Sequence, residues 1–544
     1  MIGCSRRDFI TRVAQAGGFS AAFIAMQSLG LAPTSHAHAQ TVSAAPNLGK
    51  GTSVVILGAG IAGLVAAYEL HSLGFSCTVL ESRERPGGRN YTVRPGDTVT
   101  LNDGSKQQCG WETPHYQNFG PARLPSIHPT ILGYCRTLGV ELQVEVNSTR
   151  SSYLQNDAAN GGKPVVQRRV VNDTRGHVSE LLMKSVHGGA LDQALSAEDK
   201  DRILTFLRMY GPLDEAGKYV GSDRAGYART AGAGDETGVL EKPIDLHTLL
   251  DEDFWQGMLF DEQFDMQATM FQPVGGMDKI PYAFAKALGS TVKYGAPVTE
   301  IRKSGKGVRI GYKQGGEPKS IEADFCICAM PLTILKKTPN DFSAPYKKVV
   351  EECSYSHAYK VAWESRRFWE QDYNIYGGLE FVNTGCSPIW FPSAGLFSPR
   401  GVLVSGYTDE RDTPFQKMDL PQKFEESRKS VERLHPGHGK ELEKPMYVCW
   451  GKMEHNEGSW IRSYAPDQDH APGMSLTRQT GQARSAGKAR TETNPNYEVL
   501  IQPDGPIYFA GDHVSHIVGW QEGAALSSIR ATQMISDVVK TRQA

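Results

Sequence analysis

The first regular pattern of apolar and polar residues follows a small, polar linker at residues 40–51. Residues 53–57 ("SVVIL") form a mostly apolar run typical of a buried β-strand, residues 61–73 repeat apolar side chains at helical spacing, and residues 77–80 predict a second strand. The unit takes about 30 residues, the length of a right-handed crossover between parallel strands. The pattern therefore predicts the start of an α/β core.

Longer-range patterns divide the rest of the chain. Residues 126–250 are rich in charge and helical periodicity, and their glycine-dense stretch, residues 219–238, is interpreted as an ordered loop or lid, although its composition also fits disorder. Short β-rich segments recur over 292–329, and aromatic strands alternate with turns over 353–460. The C-terminal part contains a strand, "IYFAGD", and a helix that begins near Gly523. A chain of 544 residues is long enough for two or three lobes.

Charge and cysteine usage narrow the classes of function. With 58 basic and 60 acidic residues the formal charge is -2, which gives no general reason to expect a nucleic acid or an anionic membrane as partner. The nine cysteines lack metal-binding spacing, so neither a metal site nor a disulfide framework is expected. Cys326 and Cys328 lie in a strand-like run, where alternation puts both side chains on the same face and favours core packing over redox chemistry.

The first 39 residues differ in composition from the rest. "SRRDFI" at residues 5–10 precedes a weakly apolar stretch, residues 13–32, and a small-x-small pattern at Ala37 and Ala39. This segment resembles a twin-arginine signal, which implies a periplasmic or secreted protein that folds before export and contacts the export machinery transiently. The alternative is an uncleaved membrane anchor, but polar residues and glycines dilute the apolar run, so no stable anchor is expected.

The motif "GAGIAG" lies between the first predicted strand and helix. Gly58 supplies a tight turn, Gly60 allows a backbone to approach a pyrophosphate, and Gly63 allows close packing of helix on strand, while the helix N-terminus adds free N–H donors. Glu81, after the second strand, can accept both ribose hydroxyls of an adenosine and disfavours the 2′-phosphate of NADP. At this point NAD, FAD and a turn that binds nothing remain open.

A second cluster of glycine and arginine, "ESRERPGGR", follows Glu81 directly. NAD does not require it. FAD does, because its flavin-side phosphate and ribityl chain extend past the first βαβ unit and need further cations and close backbone contacts. The cluster therefore favours FAD.

At this cluster the chain resembles the flavin amine oxidase superfamily. Three further segments occur in the family's order: residues 272–288 ("QPVGGMDKIPYAFAKAL"), 294–301 ("YGAPVTEI") and 507–531 ("IYFAGDHVSHIVGWQEGAALSSIRA"). The resemblance implies a two-domain α/β fold of the GR2 type, with a Rossmann-like FAD-binding domain, a mixed-sheet substrate domain and a helical insertion. It implies non-covalent FAD, since no cysteine lies in the C-terminal segment.

The resemblance also divides the chain into domains. They are a signal at 1–39, an FAD-binding domain in three parts at 50–125, 251–332 and 461–544, a helical insertion at 126–250, and a substrate-binding domain at 333–460.

Cofactor contacts follow from the resemblance residue by residue. Val298 is expected at the adenine, and Asp512 at the ribityl or pyrophosphate end; Asp512 could also be a helix N-cap, and the two roles are compatible. The expected FAD contacts are Gly58, Ala59, Gly60, Ile61, Ala62, Gly63, Glu81, Ser82, Arg83, Gly87, Gly88, Arg89, Ala122, Arg123, Val298, Trp450, Gly511, Asp512, Gly519 and Trp520.

The segment "NFGPARLPSIH", residues 118–128, resembles the part of L-amino acid oxidases whose arginine pairs with the substrate carboxylate, which makes Arg123 the matching residue. A guanidinium holds a carboxylate through two parallel bonds and so orients the α-carbon. Lys360 matches a family lysine that holds a water at the flavin N5. Where the family has a tyrosine that also binds the carboxylate, the matching segment here is "SPIWFPS", with Trp390 and Phe391, which puts the full carboxylate clamp in doubt.

Other candidates are less specific. Gly519 and Trp520 match positions that line the site beside the flavin, where an aromatic wall suits a neutral amine. The acidic run at residues 251–265 could recognise a basic side chain or could be a solvated helix face. His128, His513 and His516 are acid-base candidates only because they lie near motifs.

The resemblance implies oxidative deamination of an L-amino acid by hydride transfer to FAD, with O₂ as acceptor and a 2-oxo acid, ammonia and hydrogen peroxide as products, and it implies a homodimer. The alternatives are a primary amine or polyamine oxidase, which does not need Arg123, an amino acid monooxygenase that gives an amide, and a flavin-binding or electron-transfer subunit without oxidase activity.

Overall fold

The computed structural model describes residues 42–305, 307–464 and 494–544. The predicted export signal lies outside the described residues. The described helices are α1 (Ile61–Ser72), α2 (Pro129–Thr137), α3 (Gln167–His187), α4 (Ala197–Tyr210), α5 (Leu246–Leu249), α6 (Glu252–Met258), α7 (Lys279–Leu288), α8 (Leu332–Leu335), α9 (Ala344–Glu352), α10 (Phe368–Gln371), α11 (Leu420–Leu434), α12 (Pro495–Leu500) and α13 (Gln521–Gln543).

The described strands are short, apart from those that form the central sheets. They are β1 (Ser53–Leu57), β2 (Ser76–Leu80), β3 (Thr92–Val93), β4 (Thr98–Thr100), β5 (Lys106–Gln108), β6 (Gln117–Asn118), β7 (Leu124–Pro125), β8 (Leu142–Glu145), β9 (Tyr153–Gln155), β10 (Val165–Val166), β11 (Tyr227–Arg229), β12 (Val239–Leu240), β13 (Met270–Pro273), β14 (Val292–Lys293), β15 (Val298–Ser304), β16 (Gly307–Gln314), β17 (Glu317–Ala323), β18 (Phe325–Cys328), β19 (Ser354–Tyr355), β20 (Ala358–Arg366), β21 (Gly378–Val382), β22 (Ile389–Phe391), β23 (Arg400–Asp409), β24 (Glu443–Cys449), β25 (Ile461–Ser463) and β26 (Ile507–Phe509).

A five-stranded parallel sheet forms the first layer, in the order β14-β2-β1-β18-β26. Its strands come from distant parts of the chain and are buried on both faces. In β1, Val54 and Ile56 pack into the cluster with helices α1, α7 and α13, whereas Val55 and Leu57 pack into the cluster on the opposite face. Each fully buried aliphatic side chain of this kind contributes about 1.5–3 kcal/mol, so burial on both faces holds the sheet together.

Helix α1 ends where the sequence supplies a glycine. Gly74 has φ 85°, and the N–H of Phe75 donates to the carbonyl of Leu70 while the N–H of Gly74 donates to that of His71. These two bonds form a Schellman motif, which satisfies the last carbonyls of the helix. Phe75 is buried against the same cluster as Leu70, and the chain turns directly into β2.

A seven-stranded sheet forms the second layer, in the order β10-β9-β21-β22-β23-β20-β24. Neighbouring strands are antiparallel except for β9 and β21, so the sheet is mixed. It carries a large aromatic core that includes Trp363, Trp369 and Phe391. Together the parallel and mixed sheets agree with the expected α/β fold.

Several local predictions can be compared with the structure. The first strand is confirmed as β1, and the predicted helix and second strand are confirmed within one residue. Cys326 and Cys328 are fully buried on one face of β18 and unpaired, as expected. The glycine-dense stretch contains the exposed strand β11, which pairs with β12 directly after the stretch. The division into domains stays a prediction.

Within the described part of the chain, no helix combines the length and the apolar character needed to cross a bilayer.

Candidate active site

A cavity with a volume of about 190 Å³ lies at the carboxyl ends of β1 and β2. The glycine turn after β1 forms its floor. Gly58 has φ 101°, a conformation that favours glycine, and a Cβ at Gly63 would lie 1.9 Å from the carbonyl oxygen of Gly58. A Cβ at Gly60 would meet no atom within 4 Å, although Gly60 lines the cavity. The turn is therefore built for a ligand that touches the backbone.

Glu81 is held rigidly at the end of β2. One carboxylate oxygen accepts the N–H of Ala59 at 2.8 Å, and the other accepts the N–H of Arg83 at 2.9 Å. The side chain is 3% exposed and lines the cavity. A carboxylate fixed in this position can accept hydrogen bonds from a ribose, as the sequence predicted.

Arg89 and Asp512, whose side chains are 29% and 4% exposed, form an ion pair in the cavity wall. Both guanidinium nitrogens of Arg89 donate to Asp512, and Arg89 also donates to the carbonyl of Ser459. Although burial opposes it, the charge and hydrogen bonds of Arg89 hold the pKa of Asp512 below its usual value. Asp512 also accepts the N–H of Gly519 at 3.0 Å. The alternative interpretation of Asp512 as an N-cap of the terminal helix is wrong, because α13 begins at Gln521 and its N-cap is Trp520.

The predicted cofactor residues divide into three groups, apart from Arg123, which lines neither of the two cavities at this site. Gly58, Gly60, Ile61, Ala62, Glu81, Ser82, Arg83, Gly87, Gly88, Arg89, Val298, Trp450, Gly511, Asp512, Gly519 and Trp520 line this first cavity. Ala59 and Gly63 lie behind it, where the N–H of Ala59 fixes Glu81 and Gly63 packs on the turn. Ala122 lines a second cavity instead.

The second cavity has a volume of about 180 Å³ and lies beyond the segment of residues 118–122. Phe119, Gly120 and Pro121 line the first cavity, whereas Asn118 and Ala122 line the second. This segment is therefore the wall between the two cavities.

Lys360 lies in that wall. It is 2% exposed, and its Nζ donates to the carbonyls of Asn118 and Gly120, both at 2.7 Å. Burial, together with the nearby charge of Arg123, holds the pKa of Lys360 well below its ordinary value. The amine is thus a fixed polar group with one position around nitrogen still open, which suits the water-holding role that the resemblance predicts.

Arg123 follows the wall segment and is 5% exposed. Its Nη1 donates to Asn147, and its guanidinium lies 4.5 Å from the ring centre of Trp390 and 5.7 Å from that of Phe260. Among the residues that the structure describes, no carboxylate oxygen lies within 4.0 Å of it. Arg123 is therefore a buried cation without an ion-pair partner.

Tyr407 is a residue that sequence reasoning missed. Lys360 is directly opposite Tyr407, and Ala362 is directly opposite Val404, so the register between β20 and β23 shifts by one residue at Ser405. The shift turns Tyr407 to the face that carries Lys360 and Trp390. Its ring stacks on Trp390 at 6.3 Å, lines the first cavity and lies within the electrostatic reach of Arg123.

The sequence has Trp390 and Phe391 where the family has a carboxylate-binding tyrosine, which put the carboxylate clamp in doubt. The structure corrects this expectation, because a different tyrosine, Tyr407, lies near Arg123. Trp390 and Phe391 line the second cavity, and Phe391 is fully buried beside Trp369. The indole N–H of Trp390 donates to Glu145 at 3.1 Å. The phenol next to Arg123 comes from the following strand, because only the register shift brings Tyr407 to this face.

Glu145 at the end of β8 was also missed. It is 4% exposed, one oxygen accepts the Trp390 hydrogen bond, and Oε2 has no hydrogen-bond partner within the described ranges. Burial raises the pKa of Glu145 to about 7, against the lowering effects of Arg123, the Trp390 hydrogen bond and Lys360. Its sequence context, a short amphipathic strand, carries no signal of a site.

The three histidines near motifs have separate environments. His128 is buried edge-on to Trp520 at 5.0 Å, and its Nε2 lies 3.7 Å from Asp265. Burial lowers the pKa of His513 to about 4, and His516 packs on Tyr497. The acidic run lies in α6 and in two 3₁₀ turns, Phe260–Glu262 and Phe264–Met266. The first turn contributes the Phe260 ring near Arg123, and the second contributes the carbonyl of Met266, which accepts a hydrogen bond from Asn147.

The first cavity fits a flavin nucleotide. It offers backbone turns without Cβ atoms, a carboxylate fixed by Ala59 and Arg83, and a long second half lined by Trp450 and Trp520. This donor set matches a dinucleotide that extends past the first βαβ unit. The fold and the cavity together define a flavoprotein of the amine oxidase class.

Comparison with protein families gives the family. A family model described as "Flavin containing amine oxidoreductase" matches residues 61–536. The chain belongs to this family, and a flavin cofactor follows from it.

Two similar proteins are flavin-dependent or L-amino-acid oxidases by name. The chain is 26% identical over 501 residues to the L-amino-acid oxidase of Pseudechis australis, a match that covers 89% of this chain and 86% of the relative. It is 26% identical over 519 residues to the flavin-dependent L-tryptophan oxidase RebO of Lentzea aerocolonigenes, with 89% and 97% covered.

Solved structures show the fold. A putrescine oxidase bound to putrescine matches with a TM-score of 0.53 and 17% identity, covering 90% of this chain and 99% of that one. The cyclohexylamine oxidase from Brevibacterium oxydans IH-35A matches with a TM-score of 0.55 and 16% identity, with the same coverage. These likenesses confirm the expected flavin amine oxidase fold.

Proposed function

We propose that this chain is an FAD-dependent L-amino acid oxidase that converts an L-amino acid to a 2-oxo acid, ammonia and hydrogen peroxide. The proposal goes beyond the family, which includes oxidases of simple amines. The residue that discriminates between the two classes is Arg123.

The single observation that carries the proposal is the unpaired burial of Arg123. A buried cation that forms no ion pair costs several kcal/mol, and folded proteins normally avoid it; Glu145 acts on Arg123 only through longer-range electrostatics. Arg123 is nevertheless buried, and Asn147 is its one hydrogen-bond partner among the described residues. A substrate carboxylate supplies the missing anion, and a simple amine does not.

The residues of the first cavity hold the cofactor. Glu81 binds the adenosine ribose, and the glycine turn and the start of α1 bind the pyrophosphate. A flavin held there would supply a hydride acceptor for the substrate α-carbon and a two-electron donor for O₂. We propose that FAD is held without a covalent bond, which predicts that acid precipitation of the protein releases all of the flavin into the supernatant.

The protein orients the amino acid. Arg123 binds the carboxylate through the nitrogens that Asn147 leaves free, and the hydroxyl of Tyr407 adds a second donor, since it makes no hydrogen bond with any described residue. The rings of Trp390 and Tyr407 exclude water around both groups. Lys360 holds a water beside the reacting carbon through its open position.

The first test is anaerobic bleaching of the flavin absorbance by each of the twenty L-amino acids, with putrescine and phenethylamine alongside. Air is then admitted and peroxide is assayed. We expect bleaching by amino acids and not by the amines, followed by stoichiometric peroxide. Bleaching by amines alone contradicts the proposal, an amide product indicates a monooxygenase, and reduction without peroxide indicates an electron-transfer protein.

We also propose export by the twin-arginine route, supported by the residue pattern at 5–39. Replacement of Arg6 and Arg7 by lysine is expected to leave the protein in the cytoplasm. Localisation by fractionation of the native host checks this, and unchanged export contradicts it.

A further inference from the structure

Glu145 is a buried carboxyl group that the proposed reaction does not use. It lies at the edge of the Trp390 ring, whose face is covered by Arg123 at 4.5 Å and by Lys360 at 5.3 Å. The unpartnered Oε2 belongs to a side chain that lines the second cavity, behind the wall that holds Lys360. Trp390 thus contacts the basic side chains of Arg123 and Lys360 and the carboxyl group of Glu145.

The charges of this cluster decide what it can bind. Burial favours the neutral form of Lys360, so the main charges are those of Arg123 and Glu145. When Glu145 is ionised, the two charges cancel, and a bound carboxylate leaves one negative charge without compensation in a buried pocket. When Glu145 is protonated, the charge of Arg123 cancels that of the ligand, which is the cheaper arrangement in a low dielectric.

We propose that a carboxylate binds at Arg123 together with one proton, which protonates Glu145. The proposal rests on the proposed function, since it assumes the carboxylate pocket. It makes Glu145 a specificity-determining residue: an ionised Glu145 rejects amino acids but does not affect ligands without a carboxylate. With an amino acid as ligand, the substrate ammonium can lose the proton that Glu145 gains, which leaves the amine neutral.

The surroundings of Glu145 agree with a proton-linked role. Its pKa of about 7 lies where a small change in local charge alters its protonation. Binding and protonation are linked reciprocally, so the ligand must raise the pKa of Glu145. The titratable and charged groups that face this region from neighbouring elements are Arg123, Lys360 and Tyr407 and, around the second cavity, His115, Tyr116, Arg367 and Arg400.

The test uses benzoate, a carboxylate without an ammonium group, and the flavin-loaded full chain. Calorimetric titration in buffers of different ionisation enthalpy counts the protons taken up. We expect about one proton per benzoate at pH 8.5 and none at pH 5.5, where Glu145 is already protonated, and about a tenfold rise in Kd per pH unit above pH 7. The comparison of the two pH values needs no variant.

Glu145→Gln keeps the acceptor for Trp390 and removes the titration. It should bind benzoate without proton uptake and with a Kd independent of pH. Asp173→Asn is the matched control. Asp173 lies on helix α3, is likewise a buried carboxyl group with a raised pKa, and accepts a hydrogen bond from the hydroxyl of Tyr219. It should keep the wild-type proton uptake.

The outcomes separate the two proposals. If benzoate requires Arg123 but binds without proton uptake, or if Glu145→Gln retains the uptake, the role of Glu145 is overturned and the oxidase proposal stands. If benzoate does not bind the wild type, or binds Arg123→Met equally well, the carboxylate pocket is wrong and both proposals fail.

Discussion

Replacement of Arg123 by methionine separates an amino acid oxidase from an amine oxidase. Methionine keeps the length and apolar stem of the side chain and removes the guanidinium. Two charge-assisted hydrogen bonds to the substrate carboxylate are lost, each of about 1.5–3 kcal/mol. The expected loss in kcat/KM for amino acids is therefore about 200- to 30,000-fold.

The effect of this replacement on stability should be small. Loss of the hydrogen bond to Asn147 destabilises the variant. Removal of a buried cation stabilises it, since burial disfavours the charged form of Arg123 and lowers its pKa. These contributions oppose each other, so the free energy of unfolding should change by less than about 1 kcal/mol. A large loss of activity with an unchanged Tm is then a loss of substrate binding.

The assay is stopped-flow reduction of the flavin under anaerobic conditions. The substrates are the best amino acid of the screen and the amine obtained by removing its carboxylate. Rate constants for the amine should stay within about threefold of wild type, because the amine never contacts Arg123. Arg175→Met is the control, since Arg175 lies on α3 over the ring of Tyr210. Equal losses for the acid and the amine, or no loss for either, would refute the carboxylate role.

Three further predictions follow from single contacts. Tyr407→Phe should lower kcat/KM for amino acids by about tenfold, the value of one hydrogen bond, without changing that for the amine; an equal effect on both substrates would argue against a carboxylate contact. Gly60→Val should fold, because Gly60 has φ -70° and its Cβ meets no atom within 4 Å, yet purify without flavin by absorbance; a flavin-loaded variant would place the cofactor elsewhere. Arg89→Met should cost about 3–5 kcal/mol by leaving Asp512 buried and unpaired, and the double variant with Asp512→Leu should recover much of the loss in thermal melts; absence of recovery would mean that the pair is not the cause.

Much of the cofactor half could be predicted from the sequence. The strand of Ser53–Leu57, the glycine turn and Glu81 follow one another within a single βαβ unit, and local patterns fix their arrangement. The pairing of Arg89 with Asp512 could not be predicted, because it joins residues that are 423 positions apart.

The substrate half was less predictable. The resemblance predicts site roles for Arg123 and Lys360, but the sequence does not show that Arg123 is buried without forming an ion pair. Motif alignment placed Trp390 and Phe391 where a tyrosine was expected, and Tyr407 was missed. Glu145 gave no signal at all, because its position depends on a hydrogen bond to Trp390 on another sheet.

The sequence by itself determined the first βαβ unit and the dinucleotide turn, since both depend on residues close together along the chain, and it indicated the family through a series of motifs in a fixed order. The tertiary structure alone decided which side chains surround the substrate. The one-residue register shift at Ser405 turns Tyr407 toward Lys360, and without it the phenol would face the other side of the sheet. Strand alternation has a period of two, so a single extra residue, placed by packing between distant strands, decides the composition of the site.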